Sequence, residues 1–263
     1  MGSSTRQALA SLAGEVTRMR GELTVRAGEE LLEASRALGR NAAIRSAIGD
    51  ASAPAESRRT LAERVFVGLS APARTLAGAV AALRMSTSSD VVVALEQTGI
   101  RVIGEAGDAP TITAELFRFG QIVSANPDLE LALASKLSQA TARGDLVSTL
   151  LGRQVSEGTV AIASHLAAAP HGRRTGAMLR NASRIVAEQS GSLVATVTAA
   201  RRPTDSQLTK LAATLQEQYG RPVSINVVVE PALVGGLRVQ IGDDVIDGSI
   251  ASRLSDLRLR LAG

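Results

Sequence analysis

Val223-Ser-Ile-Asn-Val-Val-Val-Glu-Pro-Ala-Leu-Val-Gly-Gly-Leu-Arg-Val-Gln-Ile-Gly242 reads as two strands and the turn between them. Val223, Ile225, Val227 and Val229 alternate with Ser224, Asn226 and Val228, the period of two that gives a half-buried strand one apolar face. Glu230-Pro231 turns the chain, and Gly235-Gly236 lets the backbone bend or take a positive φ where a Cβ would clash. Leu237, Val239 and Ile241 then alternate again, and Gly242-Asp243-Asp244 makes a tight hairpin into Val245-Ile246. Beyond it, Asp247-Gly248-Ser249 introduces a final helix with Ile250, Leu254, Leu257 and Leu261 on one stripe. In the other direction, Gly220 and Pro222 stop a helix carrying Leu208, Leu211, Leu215 and Tyr219, which opens on a Thr204/Gln207 capping box. Leu193, Ala195 and Val197 form the strand before it. Residues 192–263 are therefore expected to be a small βαββ-type α+β module with a C-terminal helix.

Upstream the texture changes to Ala- and Leu-rich helices with short breaks. Leu9, Leu12, Val16 and Met19 share a helix face, with Ser3, Ser4 and Thr5 as candidate caps. A second helix is expected over Glu29–Leu38, Pro54 and Pro72 suit helix first turns, and Asp90 is placed to cap a helix over Val91–Glu105. After Gly107-Asp108-Ala109-Pro110 the pattern restarts. Glu30-Leu31-Leu32 is echoed by Glu115-Leu116-Phe117, Asn41 by Asn126, and Leu69-Ser70 by Val155-Ser156. Val102-Ile103-Gly104-Glu105-Ala106-Gly107 is echoed by Ile185-Val186-Ala187-Glu188-Gln189-Ser190-Gly191. A separation near 85 residues held across several helix boundaries is what a tandem duplication leaves; coincidence between two Ala/Leu-rich stretches is the competing reading. The predicted organisation is mainly α: a helical bundle over 1–108, its duplicate over 109–191, and the α+β module over 192–263.

Composition removes many chemistries. The 263 residues contain no cysteine, which excludes disulfides, thiolate catalysis and cysteine-based metal sites. Aromatics are held to 2%, and basic residues are not interleaved with aromatic platforms of the kind that stack bases. The pI near 10.5 reflects arginine in place of lysine, since Lys136 and Lys210 are the only lysines among 29 basic residues opposed by 25 acidic ones. A solvated surface of mixed charge is expected, and no nucleic-acid partner. No apolar run is long enough to span a bilayer and Met1-Gly-Ser-Ser-Thr-Arg6 has no signal-peptide core, so a cytoplasmic location is expected.

No site for chemistry stands out. Gly235-Gly236 and Gly248 belong to neither a Walker nor a dinucleotide-binding pattern, and no Gly-x-Ser-x-Gly elbow occurs. His165 and His171 flank Pro170 without sharing a helical face with a carboxylate, which makes them loop or helix-end histidines. Asp243, Asp244 and Asp247 lack the distal glutamate of a calcium loop, and turn chemistry and helix capping account for them. No catalytic residue, metal site or cofactor is expected; the chain works by presenting surfaces.

The run from Val223 to Gly242, with Glu230, Leu233, Gly235, Gly236, Leu237, Val239 and Gly242, followed by Asp247-Gly248, resembles the signature of the delta subunit of bacterial F-type ATP synthases, whose mitochondrial counterpart is the oligomycin-sensitivity-conferring protein. Gly49-Asp50-Ala-Ser-Ala-Pro54, Glu115-Leu-Phe-Arg-Phe-Gly120 and Ser124-Ala-Asn-Pro-Asp-Leu129 extend the likeness more loosely. The chain is longer than most members by about one repeat, and so resembles the actinobacterial form with a doubled helical domain.

The resemblance implies a non-catalytic stator subunit of an ATP-synthesising, proton-transporting complex, peripheral on the cytoplasmic face of the plasma membrane and touching the membrane only indirectly. It implies N-terminal segments of alpha subunits as partners of the helical part and a b-type stalk subunit as partner of the C-terminal module. In some relatives the long delta follows a membrane-anchored b-type segment; this chain starts without one, so a separate b subunit is implied. By carry-over, Ile250, Leu254, Leu257 and Leu261 are the candidate stalk contact, and packing of that stripe on the module's own sheet is the competing reading. Without the resemblance, a helical-repeat adaptor or a nucleic-acid-binding module would be the alternatives.

Overall fold

The computed structural model describes residues 2–134, 139–152, 154–169, 173–233, 235–242 and 244–248. The chain divides into two compact units, Met1–Ser190 and Gly191–Gly263.

In the first unit, α1 (Ser3–Arg18), α2 (Val25–Arg40), α3 (Ala42–Ile48), α4 (Ala55–Val65), α5 (Ala71–Ala82) and α6 (Asp90–Ala106) form one six-helix set. Five more helices follow: α7 (Ala109–Ala125), α8 (Pro127–Ala134), α9 (Ala140–Leu151), α10 (Glu157–Ala168) and α11 (Thr175–Gln189). Their starts lie 84, 85, 85, 86 and 85 residues after those of α2 to α6. The packing repeats as well. Contacts of α2 with α6, α4 with α5, and α2 with α5 recur as α7 with α11, α9 with α10, and α7 with α10. The contact of α1 with α6 recurs as α6 with α11, so α6 closes the first set and supplies the first helix of the second.

That double duty explains the composition of α6. A helix with one packed face needs one apolar stripe, whereas one enclosed between two bundles must be apolar nearly all round. Val91, Leu95 and Val102 of α6 join the first hydrophobic cluster, and Ile100 and Ile103 join the second. Its partner α2 is split in the same way, with Leu31 and Leu38 in the first cluster and Leu32 in the second. The two helices approach closely at Gly28 and Gly99: a Cβ on Gly99 would lie 2.9 Å from the Gly28 carbonyl oxygen. Asp90, expected as the cap of α6, is its first helical residue; Ser89 precedes it in αR geometry with no side-chain cap, and the Asp90 carboxylate accepts from Thr5 Oγ1 at 2.7 Å.

Residues echoed in the sequence hold the same joint in each half. Glu30 Oε2 accepts from the Ser70 N–H at 2.8 Å, and Glu115 Oε2 from the Ser156 N–H at 3.0 Å, each at the start of the fifth helix of its set. At the other end of that helix, buried Arg58 donates to the Leu83 and Ala82 carbonyls, and buried Arg143 to those of Ala167 and Ala168. Both guanidiniums thus satisfy orphan carbonyls of a helix C-terminus.

In the second unit, β1 (Leu193–Ala199) is followed by α12 (Asp205–Tyr219), β2 (Val223–Val229), β3 (Leu237–Ile241) and β4 (Asp244–Asp247). The sheet order is β2-β1-β3-β4, with β2 parallel to β1 and the other pairs antiparallel. The Thr204/Gln207 capping box forms, and α12 ends on Gly220 in the left-handed region. Val197 pairs with Val227 and Val239, and Leu211, Leu215 and Tyr219 of α12 pack with Ala195, Val197, Val239 and Ile241. One expectation on β2 is corrected. Of its residues Asn226 is the most buried, at 5% exposure, while Ile225 and Val227 are half-buried and Val229 is exposed. The apolar set of an edge strand reaches the rim of the sheet, so alternation gives the right two faces but not the right ranking of burial.

Candidate docking surfaces

A groove of about 1060 Å³ lies in the second unit. Its walls are the end of β1 with the following loop (Ala199–Pro203), the first half of α12, and Pro231 with Gly235, Gly236 and Leu237. This is the edge where the parallel strands β1 and β2 end and the helix between them begins, the position at which open α/β arrangements leave a crevice. Leu208 and Leu211, three residues apart on α12, present half-buried apolar side chains to it, while Arg201, Arg202 and Lys210 stand exposed around it.

The signature residues shape the same edge. The Glu230 N–H donates to the Ala199 carbonyl at 2.9 Å, continuing the β1–β2 ladder past its last strand residue, and the Leu233 N–H closes a turn on the Glu230 carbonyl at 3.0 Å. Gly235 and Gly236 have φ of 136° and 83°, values a side chain would strain, and they deliver the chain into β3 at Leu237. The Gly248 N–H donates back to the Leu237 carbonyl at 2.9 Å, and a Cβ there would lie 3.2 Å from that oxygen. Val239 is buried in the sheet, Gly242 takes positive φ in the β3–β4 turn, and Asp247 lies 3.8 Å from Arg238. Of the signature residues, Gly235, Gly236 and Gly242 thus supply positive φ, Gly248 a close backbone approach, and Val239 a core side chain. Ile250, Leu254, Leu257 and Leu261, together with Asp243 and His171, lie outside the described residues.

In the helical unit, sequence reasoning missed a buried polar site. His165 sits in the last turn of α10, 1% exposed, with Nε2 3.2 Å from Glu96 Oε2 on α6. Arg173 donates to the other Glu96 oxygen at 3.0 Å. Burial pushes the Glu96 carboxyl up, but the His165 hydrogen bond and the Arg173 charge outweigh it and hold the group below the usual carboxylate range. His165 is the helix-end histidine expected, and the carboxylate it meets comes not from its own helical face but from a helix about 70 residues earlier in the chain, a distance that no local spacing reveals. Counting in step with the Ser70/Ser156 pair, Ala79 on α5 stands where His165 stands on α10.

The two halves also differ in what covers them. α2 packs against α10 as well as α6, with Leu32 among Ile100, Ile103 and Ile162 and with Val25 half-buried on the same cluster. No described element makes the matching contact against α1 and α5. Thr75 on α5 is exposed, and Ala79, one turn further along the helix, is half-buried.

Known proteins share this sequence along most of its length. A family model described as ATP synthase delta (OSCP) subunit matches residues 101–261. The ATP synthase subunit delta of Leifsonia xyli subsp. xyli is 42% identical over 266 residues, covering 100% of each chain. That of Streptomyces avermitilis is 38% identical over 243 residues, 90% of this chain and 89% of the other. A chain in the cryo-EM structure of the Toxoplasma gondii mitochondrial ATP synthase hexamer overlaps 64% of this chain and 96% of its own length, at a TM-score of 0.41 and 17% identity.

Proposed function

The chain belongs to the ATP synthase delta (OSCP) subunit family, and from that premise we propose how its two units divide the work of a stator. It is a structural subunit of the peripheral stalk of an F-type ATP synthase. The rotor turns within the catalytic head, so the head must be held by something that does not turn. In our reading the helical unit, two bundles sharing α6, takes the N-terminal segment of an alpha subunit, and the C-terminal module takes the end of the b-type stalk, with Ile250, Leu254, Leu257 and Leu261 as its apolar contact. The subunit then sits peripherally at the cytoplasmic face of the plasma membrane and performs no catalysis of its own. No described helix is long and apolar enough to cross a membrane.

The observation that carries the alpha-subunit reading is the seat of α2. An amphipathic helix lies against α6 and α10 in the second half, while the corresponding α1 and α5 of the first half carry no such helix among the described residues. A surface that accepts a helix in one copy of a repeat is a reasonable receptor for a helix in the other, by the apolar-stripe mode of helix recognition. Among the described residues, the copy without such a helix is the first one. Binding to the full chain of a labelled peptide from the N-terminal end of an alpha subunit tests this. Thr75→Arg, an exposed change on α5, should weaken binding about tenfold with an unchanged circular dichroism spectrum; undiminished binding would place the site elsewhere. For the stalk, truncation after Asp247 should abolish binding of a peptide from the C-terminal end of the b-type partner, and Leu254→Asp should weaken it; retained binding in both would reject the final helix.

A further inference from the structure

The groove of the C-terminal module combines three features. Its floor is apolar, from Leu208 and Leu211 of α12 and from Pro231. Its rim carries Arg201, Arg202 and Lys210, all exposed, and none of the three makes an ion pair among the described residues. Its shape is an open trough of about 1060 Å³, at the upper end of the ~300–1,000 Å³ typical of small-molecule cavities. An enclosed pocket with convergent polar groups would point to a metabolite. An open apolar trough whose rim cations have no ion-pair partner among the described residues points to a polypeptide segment that carries carboxylates beside aliphatic side chains, because charges at a rim select and orient a partner while the apolar floor supplies burial.

We propose that this groove receives a carboxylate-bearing amphipathic segment of the b-type stalk subunit, with Arg201, Arg202 and Lys210 pairing with its acidic side chains and Leu208 and Leu211 burying its aliphatic ones. The proposal rests on the stalk-binding reading above and adds to it a second, charged contact built from β1, α12 and the turn before β3. It also gives the signature glycines a consequence. Gly235 and Gly236, by their positive φ, bring the chain back to Leu237 along the wall of the groove, so the positions that fix backbone also fix the receptor.

The test uses the full chain and a fluorescent peptide spanning the C-terminal segment of the b subunit, followed by anisotropy. Arg201→Gln, Arg202→Gln and Lys210→Gln combined should weaken binding about tenfold, as three rim pairs of about twofold each would give, and should flatten the decline of affinity with added salt. A peptide with its acids replaced by Gln and Asn should bind wild type and variant alike. Because the chain has no cysteine, Gln207→Cys in the groove offers a single cross-linking handle that should capture the b subunit. If the peptide binds wild type and the triple variant equally, or Gln207→Cys captures nothing while binding persists, the groove is not the receptor and the stalk reading stands without it. If neither the peptide nor intact b subunit binds wild type, the stalk reading itself fails.

Discussion

Glu30 and Glu115 allow the repeat to be tested by stability. Each reaches from the second helix of its set to the start of the fifth. Glu30 Oε2 accepts one bond there, from the Ser70 N–H. Glu115 Oε2 accepts three, from the Ser156 N–H at 3.0 Å, Ser156 Oγ at 2.6 Å and Thr159 Oγ1 at 2.6 Å. A hydrogen bond to a charged group contributes about 1.5–3 kcal/mol net. Glu30→Ala removes one part-buried bond together with a 3.7 Å pair to exposed Arg26 that adds little, so its cost falls at the low end, about 1.5 kcal/mol. Glu115→Ala removes three bonds that share one oxygen and cannot add fully, leaving a cost of about 3 kcal/mol. For a unit of this size 1 kcal/mol lowers Tm by about 2–4 °C, so the two variants should lose ~3–6 °C and ~6–12 °C. Thermal and urea unfolding followed by far-UV circular dichroism measure both. The double variant Glu115→Ala/Ser156→Ala should lose less than the sum of its singles, since each single already breaks the shared joint. Equal losses for Glu30→Ala and Glu115→Ala, or full additivity of that pair, would refute the view that one joint was kept in both halves and reinforced in the second.

Glu96→Gln should cost about 3 kcal/mol at pH 7, because it strips a buried pair of its anion. Glu96 is held below its ordinary range in the folded chain, so its contribution is present above the unfolded value of about 4.3 and is lost as pH falls through the lower folded one. Urea midpoints of wild type and Glu96→Gln should therefore converge in acid, and parallel curves down through that range would sink the assignment. Gly99→Leu places a side chain where even a Cβ would be 2.9 Å from the Gly28 carbonyl, an overpacking of about 1–3 kcal/mol. Because α2 and α6 serve both hydrophobic clusters, amide exchange should accelerate in α5 and α10 together; faster exchange confined to α5 would contradict the sharing of α6.

What the sequence made legible, it did through residues that do the same thing twice or that obey a short period. Glu30 with Ser70 and Glu115 with Ser156 stood out as echoes because they are hydrogen-bond partners, and a mutation in either member of such a pair leaves a polar group unsatisfied. The strands of the C-terminal module were legible because alternation and turn glycines are local signals. Their ranking of burial was not, since that depends on which strand lies at the edge. The Glu96–His165–Arg173 site was not legible either: α6, the start of α11 and α10 meet only after the helices pack, and each of the three residues is unremarkable where it stands.

The shared helix is the case in between. Gly107-Asp108-Ala109-Pro110 does break the chain between α6 and α7, but a break in the chain is not a break in the packing, because α6 lines a hydrophobic cluster on either side of it. The run Asp90-Val-Val-Val-Ala-Leu-Glu-Gln-Thr-Gly-Ile-Arg-Val-Ile-Gly104 carried the clue, having apolar residues on every side of the helix rather than on one stripe. The family model begins at residue 101, inside α6. The matched stretch thus takes in the second set from the end of its first helix, together with the C-terminal module, and α1 to α5 lie wholly before it. Extending a six-helix bundle by five helices that reuse the sixth joins the halves through α6, and the contact of α2 with α10 adds to that joint. The joint between the halves is then a helix of the core itself, buried between two hydrophobic clusters.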